Sequence, residues 1–177
     1  MAFKITGGDT VALDDPEAMF RDFRSRTILG PLGHQSEIIR SYVRTALDLP
    51  DVAFQLPTGS GKTLVALLVA EWRRRRDGLT VAYLCPTNQL VNQVVDQASR
   101  KYGMEAVAFT GSKHGYNPAD KTRYTTGQAI AVTTYSALFN IRPFFESPGL
   151  LVLDDAHAAE NYVAKHWSLC IRRNAKS

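Results

Sequence analysis

A glycine-rich turn that carries a lysine is the first part of this sequence whose residue types indicate chemistry. The turn is Gly59-Ser60-Gly61-Lys62-Thr63, and it separates two apolar runs, at 52–56 and from Leu64 onward. Glycines allow backbone N–H groups to turn inward around a polyphosphate, and the N-terminus of a following helix favours the same negative charge. Lys62 would then reach the β- and γ-phosphates, and the Thr63 hydroxyl would ligate Mg²⁺. The alternative, a glycine turn with a chance lysine, leaves the flanking runs unexplained.

A pair of aspartates forms the second candidate site. The apolar run Leu150–Leu153 ends in Asp154-Asp155-Ala156-His157. A carboxylate at the tip of a buried strand, beside a phosphate loop, is where Mg²⁺ needs a ligand. We therefore expect Asp154 to bind the metal and Asp155 to orient or deprotonate the attacking water. An Asp-Asp pair alone would indicate only a turn, but the phosphate loop upstream favours the nucleotide site.

The elements that must position these residues follow from the order of the apolar runs. Five strands are predicted, at 52–56, 79–85, 105–109, 129–132 and 150–153. Helical periodicity predicts helices that begin at Asp15-Pro16 and Asn117-Pro118 and others at 36–47, 64–72, 90–98 and 158–170. Strands separated by helices of this length form a parallel sheet that is covered on both faces. In such sheets ligands bind beyond the carboxyl ends of the strands.

Composition and charge fit one globular α/β domain. The 177 residues are 45% hydrophobic and 21% charged, with a net charge of +4 that permits a polyanionic partner without requiring one. No apolar run approaches the ~18 residues of a membrane span, and the N-terminus lacks a secretion signal. Cys85 and Cys170 have no CxxC spacing, which excludes a disulfide framework and a zinc site. We expect a cytoplasmic protein with no membrane partner, in which the run Arg73-Arg74-Arg75-Arg76 is a solvated helix end.

The motifs occur in the order seen in superfamily two helicases, and the chain resembles the first RecA-like domain of a DEAD/DEAH-box helicase. The matching segments are Leu56-Pro57-Thr58-Gly59-Ser60-Gly61-Lys62-Thr63, Cys85-Pro86-Thr87 with Leu90 and Gln93, Thr110-Gly111, Thr133-Thr134 and Asp154-Asp155-Ala156-His157. Leu56 replaces the first glycine of the strict phosphate-loop pattern, and the family's looser pattern accepts it. The resemblance implies a RecA-like P-loop three-layer sandwich with a mostly parallel sheet at 33–177, after an N-terminal helix and lead-in at 1–32.

The resemblance also implies a role for individual residues. The residues implied for ATP are Gln35, Pro57, Thr58, Gly59, Ser60, Gly61, Lys62 and Thr63, of which Lys62 acts in catalysis together with Asp155. Thr63 and Asp154 would hold Mg²⁺. The residues implied for the backbone of a single DNA or RNA strand are Pro86, Thr87, Thr110, Gly111, Thr133 and Thr134. Gln35 would read the adenine edge; alternatively, it is an exposed residue at a helix start. For each of the six residues implied to bind nucleic acid, the alternative is a role in a turn or a helix cap. His157 would couple the site to a second domain.

The implied function is an ATP-dependent motor that acts on DNA or RNA, with Mg-ATP bound between two RecA-like domains. Asp155 stands where the family usually has Glu, so its carboxylate is one methylene shorter. The strand that in this class lies between the two nucleotide-binding strands follows the acidic motif and is not found in this sequence. We therefore expect a gap in an incomplete sheet, as in a fragment or one piece of a split motor. Two alternatives stay open: a P-loop ATPase that acts on protein, and a non-hydrolysing module that binds nucleotide or nucleic acid.

Overall fold

The computed structural model describes residues 13–167 and contains an α/β domain. Its strands are β1 Val81–Cys85, β2 Ala106–Phe109, β3 Ile130–Thr134 and β4 Leu150–Leu153. Its helices are α1 Pro16–Arg21, α2 Gly33–Thr45, α3 Lys62–Asp77, α4 Asn88–Asp96, α5 Pro118–Thr125, α6 Tyr135–Leu138 and α7 Ala156–Trp167. A π-helical turn, Gln97–Lys101, continues α4, and a 3₁₀ turn, Lys113–Gly115, precedes α5. No helix in the described range is long and apolar enough to cross a bilayer.

The four strands form one parallel sheet in the order β2-β3-β1-β4. Tyr83, at the centre of β1, pairs with Val132 on β3 and with Val152 on β4. Because all strands run in one direction, their carboxyl ends meet at one edge of the sheet. The expected parallel sheet and four of the five expected strands are confirmed, and the aspartate pair and the threonine turns share that edge.

Side-chain caps begin three of the helices at the residues that the sequence indicates. The Asp15 carboxylate accepts hydrogen bonds from the N–H groups of Glu17 and Ala18, at 3.3 and 3.2 Å. Asn117 Oδ1 accepts from Ala119 N at 2.8 Å. Thr87 Oγ1 accepts from Leu90 N at 3.3 Å. Such caps satisfy N–H groups that the first turn of a helix leaves without partners.

Apolar side chains on the two faces of the sheet build a three-layer domain. On one face Tyr83 and Val132 pack in a large core with residues of α1, α2, α3 and α4. On the other face Ala82 and Leu84 pack against α6 and α7, while Phe109 packs beside α5. This arrangement is the expected RecA-like sandwich. The N-terminal helix α1 belongs to the same core, because Met19 and Phe20 are fully buried in it.

The expected strand at 52–56 is wrong. Residues 51–57 have no strand pairing, and Val52 is 40% exposed. A strand exists only through backbone hydrogen bonds to a neighbour, and within the described range the far edge of β4 has no paired strand. Leu151 and Leu153 on β4 are 39% and 41% exposed. Within residues 13–167, β4 is therefore an edge strand, and the segment that leads into the phosphate turn is unpaired.

The interpretation of the arginine run at the end of α3 as a solvated helix end is also wrong for three of its four residues, since only Arg76 is exposed. Arg74 is 7% exposed, and it donates to the fully buried Glu71 carboxylate and to the Gly127 carbonyl. Arg75 also pairs with Glu71, with its guanidinium 5.0 Å from the Phe23 ring centroid. Arg73 donates to Asp77 and to Tyr42, at 2.8 Å for the latter. These cations hold α1, α2 and the turn at Gly127 against α3, so they do not form a free phosphate-binding patch.

Candidate active site

The phosphate turn has the backbone shape that an anion cradle needs. Gly59 and Gly61 have φ values of 80° and 78°, a left-handed conformation that side chains disfavour. Ser60 N donates to Pro57 O at 3.3 Å, and Ser60 Oγ donates to the same carbonyl at 2.6 Å. These bonds fold the turn back on itself and end it at Gly61, the N-cap of α3. Pro57, Thr58 and Gly59 are exposed at this turn.

The start of α3 supplies both the backbone donors and the cation. The first N–H groups of a helix, here at Lys62 and Thr63, have no acceptor within the helix and carry its positive dipole end. Lys62 is exposed and Thr63 is half-buried. Behind them α3 is held by buried Leu64 and Val65. The turn therefore presents N–H donors, an ammonium and a hydroxyl on a helix that the core fixes.

Gln35 connects α2 to the phosphate turn. Its Nε2 donates to Ser60 O at 2.6 Å, and its Oε1 accepts from Leu32 N at 2.8 Å. His34 Nε2 also lies 3.1 Å from Ser60 O. A Cβ atom at Gly61 would lie 2.3 Å from Gln35 Nε2, so Gln35 would have to move, and the φ of 78° at Gly61 separately favours glycine. Gln35 is 4% exposed, which sets aside the alternative of an exposed residue at a helix start.

Asp154 follows β4 directly and faces the start of α3. Its N–H donates to Leu84 O at 2.9 Å, which extends the β1–β4 ladder to the aspartate. Burial raises the pKa of Asp154, the adjacent Asp155 raises it further, and Lys62 opposes the rise. The phosphate-turn lysine and the strand-tip aspartate, far apart in sequence, therefore interact electrostatically. The two motifs therefore lie near each other at the carboxyl edge of the sheet.

Asp155 has a backbone conformation that few side chains adopt. Its φ is 58°, the one positive φ of a non-glycine residue in the described part of the chain. Aspartate tolerates this region better than most residues because its short polar side chain bonds locally. The Asp155 carbonyl accepts from Ala158 N at 3.0 Å and so begins α7. The side chain is exposed, and exposed His157 follows in the first turn of α7.

Two tyrosines lie near the acidic turn, and neither belongs to a motif that the sequence indicates. Tyr135, at the start of α6, donates its hydroxyl hydrogen bond to Asp154 O and lies 3.1 Å from Asp155 O. Burial raises the pKa of Tyr135, so this hydroxyl stays protonated and can donate. Tyr83 lies in β1, an otherwise small or aliphatic strand. A single tyrosine in an otherwise small and aliphatic strand is the feature of the sequence that indicates a special role for Tyr83.

A donor set for Mg²⁺ is present around the phosphate turn. Mg²⁺ prefers oxygen ligands and is usually held by one or two carboxylates together with substrate phosphates and waters. The Thr63 hydroxyl and the Asp154 carboxylate match that chemistry. No group of three or more His, Cys, Asp or Glu residues that could hold a metal by themselves occurs within 13–167. The residues present therefore fit a metal that arrives with a polyphosphate.

The residues expected to contact a nucleic-acid strand lie at the same sheet edge with differing exposure. Thr87 and Thr110 are exposed, Pro86 is half-buried, and Gly111 has a φ of 76°. Thr134 Oγ1 lies 2.8 Å from Ser136 Oγ near the surface. Thr133, by contrast, is fully buried and donates to Phe109 O at 2.7 Å. The Thr133 side chain therefore links β3 to β2 inside the domain, and it is not exposed to a nucleic-acid strand.

A cavity of about 460 Å³ opens beside Gly111 and Thr134. Its lining includes Ser112, Lys113, His114, Thr134, Asn140 and Arg142 and no acidic side chain. Its apolar side is formed by Phe109, Tyr116 and Phe144, with the Phe109 and Tyr116 ring centroids 5.0 Å apart. The cavity therefore combines cationic and hydroxyl groups with an aromatic surface. It lies at the sheet edge where we expect a DNA or RNA strand to bind.

Comparison with protein families adds an independent finding. The model of the DEAD/DEAH box helicase family matches residues 34–176, which is most of the chain. A search among curated proteins gave no significant match. The match spans the phosphate turn, the threonine turns and the aspartate pair, in agreement with the resemblance seen in the motifs. The chain belongs to the DEAD/DEAH box helicase family and carries its RecA-like module.

Proposed function

We propose that this chain is the ATP-binding motor domain of a nucleic-acid-dependent ATPase that couples Mg-ATP hydrolysis to translocation on, or remodelling of, DNA or RNA. The observation that carries the proposal is that α3, which begins with Lys62, packs against β4, which Asp154 directly follows, so that Lys62 opposes the rise in the Asp154 pKa. It brings the two halves of a nucleotide site to one sheet edge. Such a protein would work in the cytoplasm, and 33–177 would be its RecA-like unit.

In this proposal the phosphate turn holds the polyphosphate by charge and backbone donors. The N–H groups at the start of α3 and the Lys62 ammonium neutralise the outer phosphates. Gln35 holds Ser60 and, with it, the shape of the turn. As the family resemblance implies, it would also read the adenine edge of ATP. Pro57 and Thr58 close the turn on its solvent side.

The acidic turn would complete the site for hydrolysis. Thr63 and Asp154 would hold Mg²⁺, which supplies neutralisation of the charge that develops on the phosphates. Asp155 orients or deprotonates the attacking water from its exposed position after β4. Its residue type suits the left-handed backbone there, which disfavours a longer or branched side chain. His157, in the first turn of α7, would pass the state of the site to a second domain.

A second RecA-like domain belongs to the proposal. In phosphoryl transfer an arginine supplied by a neighbouring domain is worth roughly 10³–10⁵ in rate. The unpaired β4 edge, with Leu151 and Leu153 partly exposed, supports the addition of a further strand at this side of the sheet. We expect this chain alone to bind nucleotide and to turn it over slowly.

The nucleic-acid strand would cross the carboxyl edge at the threonine turns and the cavity. Thr87, Thr110, Gly111 and Thr134 offer hydroxyl and N–H groups to a sugar-phosphate backbone, which positions a strand without reading its sequence. The cavity beside them adds Lys113 and Arg142 for phosphate contacts. Contacts of this kind suit DNA and RNA alike.

Removal of the two cavity cations tests the strand-binding part of the proposal. A variant with Lys113→Ala and Arg142→Ala should bind single strands about tenfold more weakly at about 50 mM salt. Its plot of log affinity against log salt should be less steep, by about two phosphate contacts. Fluorescence anisotropy with labelled single-stranded DNA and RNA at about 50 and about 200 mM salt measures both quantities.

Arg100→Ala is the matched control, because this exposed arginine pairs with Asp96 at the far end of α4. It removes a positive charge away from the carboxyl edge and should leave strand binding unchanged. If the wild-type chain binds neither DNA nor RNA in a salt-dependent way, the strand-binding proposal is wrong. The P-loop ATPase that acts on protein would then be the better interpretation.

A further inference from the structure

Tyr83 is a buried polar group that the fold alone does not explain. It lies at the centre of β1 and is 0% exposed. Within the described residues its hydroxyl has no partner that meets hydrogen-bond distance and angle. A buried hydroxyl without a partner costs free energy, whereas an aliphatic residue at this position would not. An unsatisfied phenol in a buried strand therefore indicates a function beyond packing.

The strand register places the Tyr83 side chain on the face of the sheet that carries Asp154. Tyr83 pairs with Val152 on the neighbouring strand β4. Side chains alternate between the faces of a strand, so Asp154, two residues beyond Val152, lies on the same face as Tyr83. That face packs against α3, which begins with Lys62 and Thr63.

The two side chains lie near each other without a formed hydrogen bond. Burial and then the nearby Asp154 carboxylate raise the pKa of Tyr83, while the Tyr83 hydroxyl opposes the rise that burial and Asp155 cause in the pKa of Asp154. The geometry nevertheless falls short of a formed hydrogen bond. The Tyr83 hydroxyl therefore lies near the Asp154 carboxylate without being bonded to it.

The other polar groups near Tyr83 are poorer acceptors. Burial raises the pKa of the Cys85 thiol to about 12, so the thiol is neutral and accepts weakly. The Tyr135 hydroxyl is engaged with the Asp154 and Asp155 carbonyls. The Tyr102 hydroxyl lies 3.4 Å from Gln97 Oε1. The Asp154 carboxylate is thus the strongest acceptor within reach.

We propose that Tyr83 is a positioning residue for Asp154: its hydroxyl donates to one carboxylate oxygen and leaves the other oxygen free for Mg²⁺. This inference rests on the proposed role of Asp154 as a magnesium ligand. A carboxylate with one oxygen fixed has fewer rotamers to lose when the metal arrives. Groups that hold metal ligands in this way tune affinity without touching the ion.

The test is the magnesium dependence of ATP binding by the full chain with Tyr83→Phe. The variant keeps the ring and its packing but removes the hydroxyl. We expect the Mg²⁺ concentration for half-maximal binding of a fluorescent ATP analogue to rise about tenfold. Binding of the analogue in EDTA should be unchanged, a split that a general structural defect would not produce. Tyr102→Phe removes a hydroxyl from the same core and should leave the magnesium dependence unchanged.

A double-mutant cycle with Asp154→Asn decides whether Tyr83 acts through Asp154. In the Asp154→Asn background, Tyr83→Phe should have no further effect on the half-maximal Mg²⁺ concentration. If Asp154→Asn raises that concentration and Tyr83→Phe does not, the inference about Tyr83 is overturned and the proposed site stands. The inference is also overturned if Tyr83→Phe has the same effect in both backgrounds. If Asp154→Asn itself has no effect, the proposed magnesium site and the Tyr83 inference both fail.

Discussion

At the scale of single residues, neighbouring groups determine the position of the Lys62 ammonium, the pKa of the Asp154 carboxylate and the backbone conformation of Asp155. Lys62 is placed by a glycine at a position where a side chain would strike Gln35. Asp154 is held by the β1–β4 ladder, and burial raises its pKa against the pull of Lys62. Asp155 occupies a left-handed conformation with a φ of 58°. The chemistry of the site is therefore set by backbone geometry as much as by residue type.

The conformation of Asp155 leads to a prediction that separates stability from catalysis. Asp155→Asn keeps a residue that tolerates the left-handed region, so thermal unfolding should be unchanged. Asp155→Val places a branched side chain there and should lower the free energy of unfolding by about 1–2 kcal/mol. Both variants lack the carboxylate and should lose about 10²-fold or more of the turnover that a second domain stimulates. Equal stability of the Asn and Val variants would contradict the assigned backbone conformation.

At the scale of elements, α3 is fixed at both ends by polar networks. Its N-terminus follows the turn in which Gln35 bonds to Ser60 O, and its last turns carry Glu71 with Arg74 and Arg75. Glu71 is fully buried, and Arg74 is 7% exposed. A buried ion pair is costly to break because removal of one partner leaves the other charge uncompensated. The network therefore holds the helix that presents Lys62.

Substitution of the buried carboxylate should show the importance of this network. Glu71→Gln should lower the free energy of unfolding by about 3 kcal/mol, because Arg74 then lacks a counter-charge in the core. Asp77→Asn, which breaks the more exposed pairing with Arg73, should cost less than about 1 kcal/mol. Urea unfolding followed by circular dichroism measures both variants. Similar losses for the two would show that burial of the Glu71 network is unimportant.

The elements that depend on contacts between residues close in sequence could be predicted. Those that depend on contacts between residues far apart in sequence could not. The caps at Asp15, Thr87 and Asn117 bond within three residues, so they could be read from the chain. Strand 52–56 was predicted from its apolar pattern, but a strand also needs a partner, which the pattern does not supply. The roles of the arginine run and of Tyr83 depend on side chains from other elements. Such pairings cannot be inferred from spacing.

At the scale of the whole molecule, the sheet has one well-packed side and one unpaired side. The β2-β3 side carries the aromatic cluster and the cavity proposed for a nucleic-acid strand. The β4 side carries the aspartates and, within residues 13–167, an edge without a paired strand. We propose that the nucleotide binds on this second side, where a further strand and a second RecA-like domain would complete the motor.

The most direct test of this account is Mg-ATP binding by the full chain, with and without Lys62→Ala. Isothermal titration with a non-hydrolysable ATP analogue and Mg²⁺ gives both affinities. Loss of the ammonium should weaken binding about 100-fold or more, since charge-assisted contacts to phosphate at a helix N-terminus dominate the site. Circular dichroism should show an unchanged fold, because Lys62 is exposed. Equal affinity of the wild-type chain and the variant, or no binding by the wild type, would contradict the nucleotide site on which the proposed motor depends.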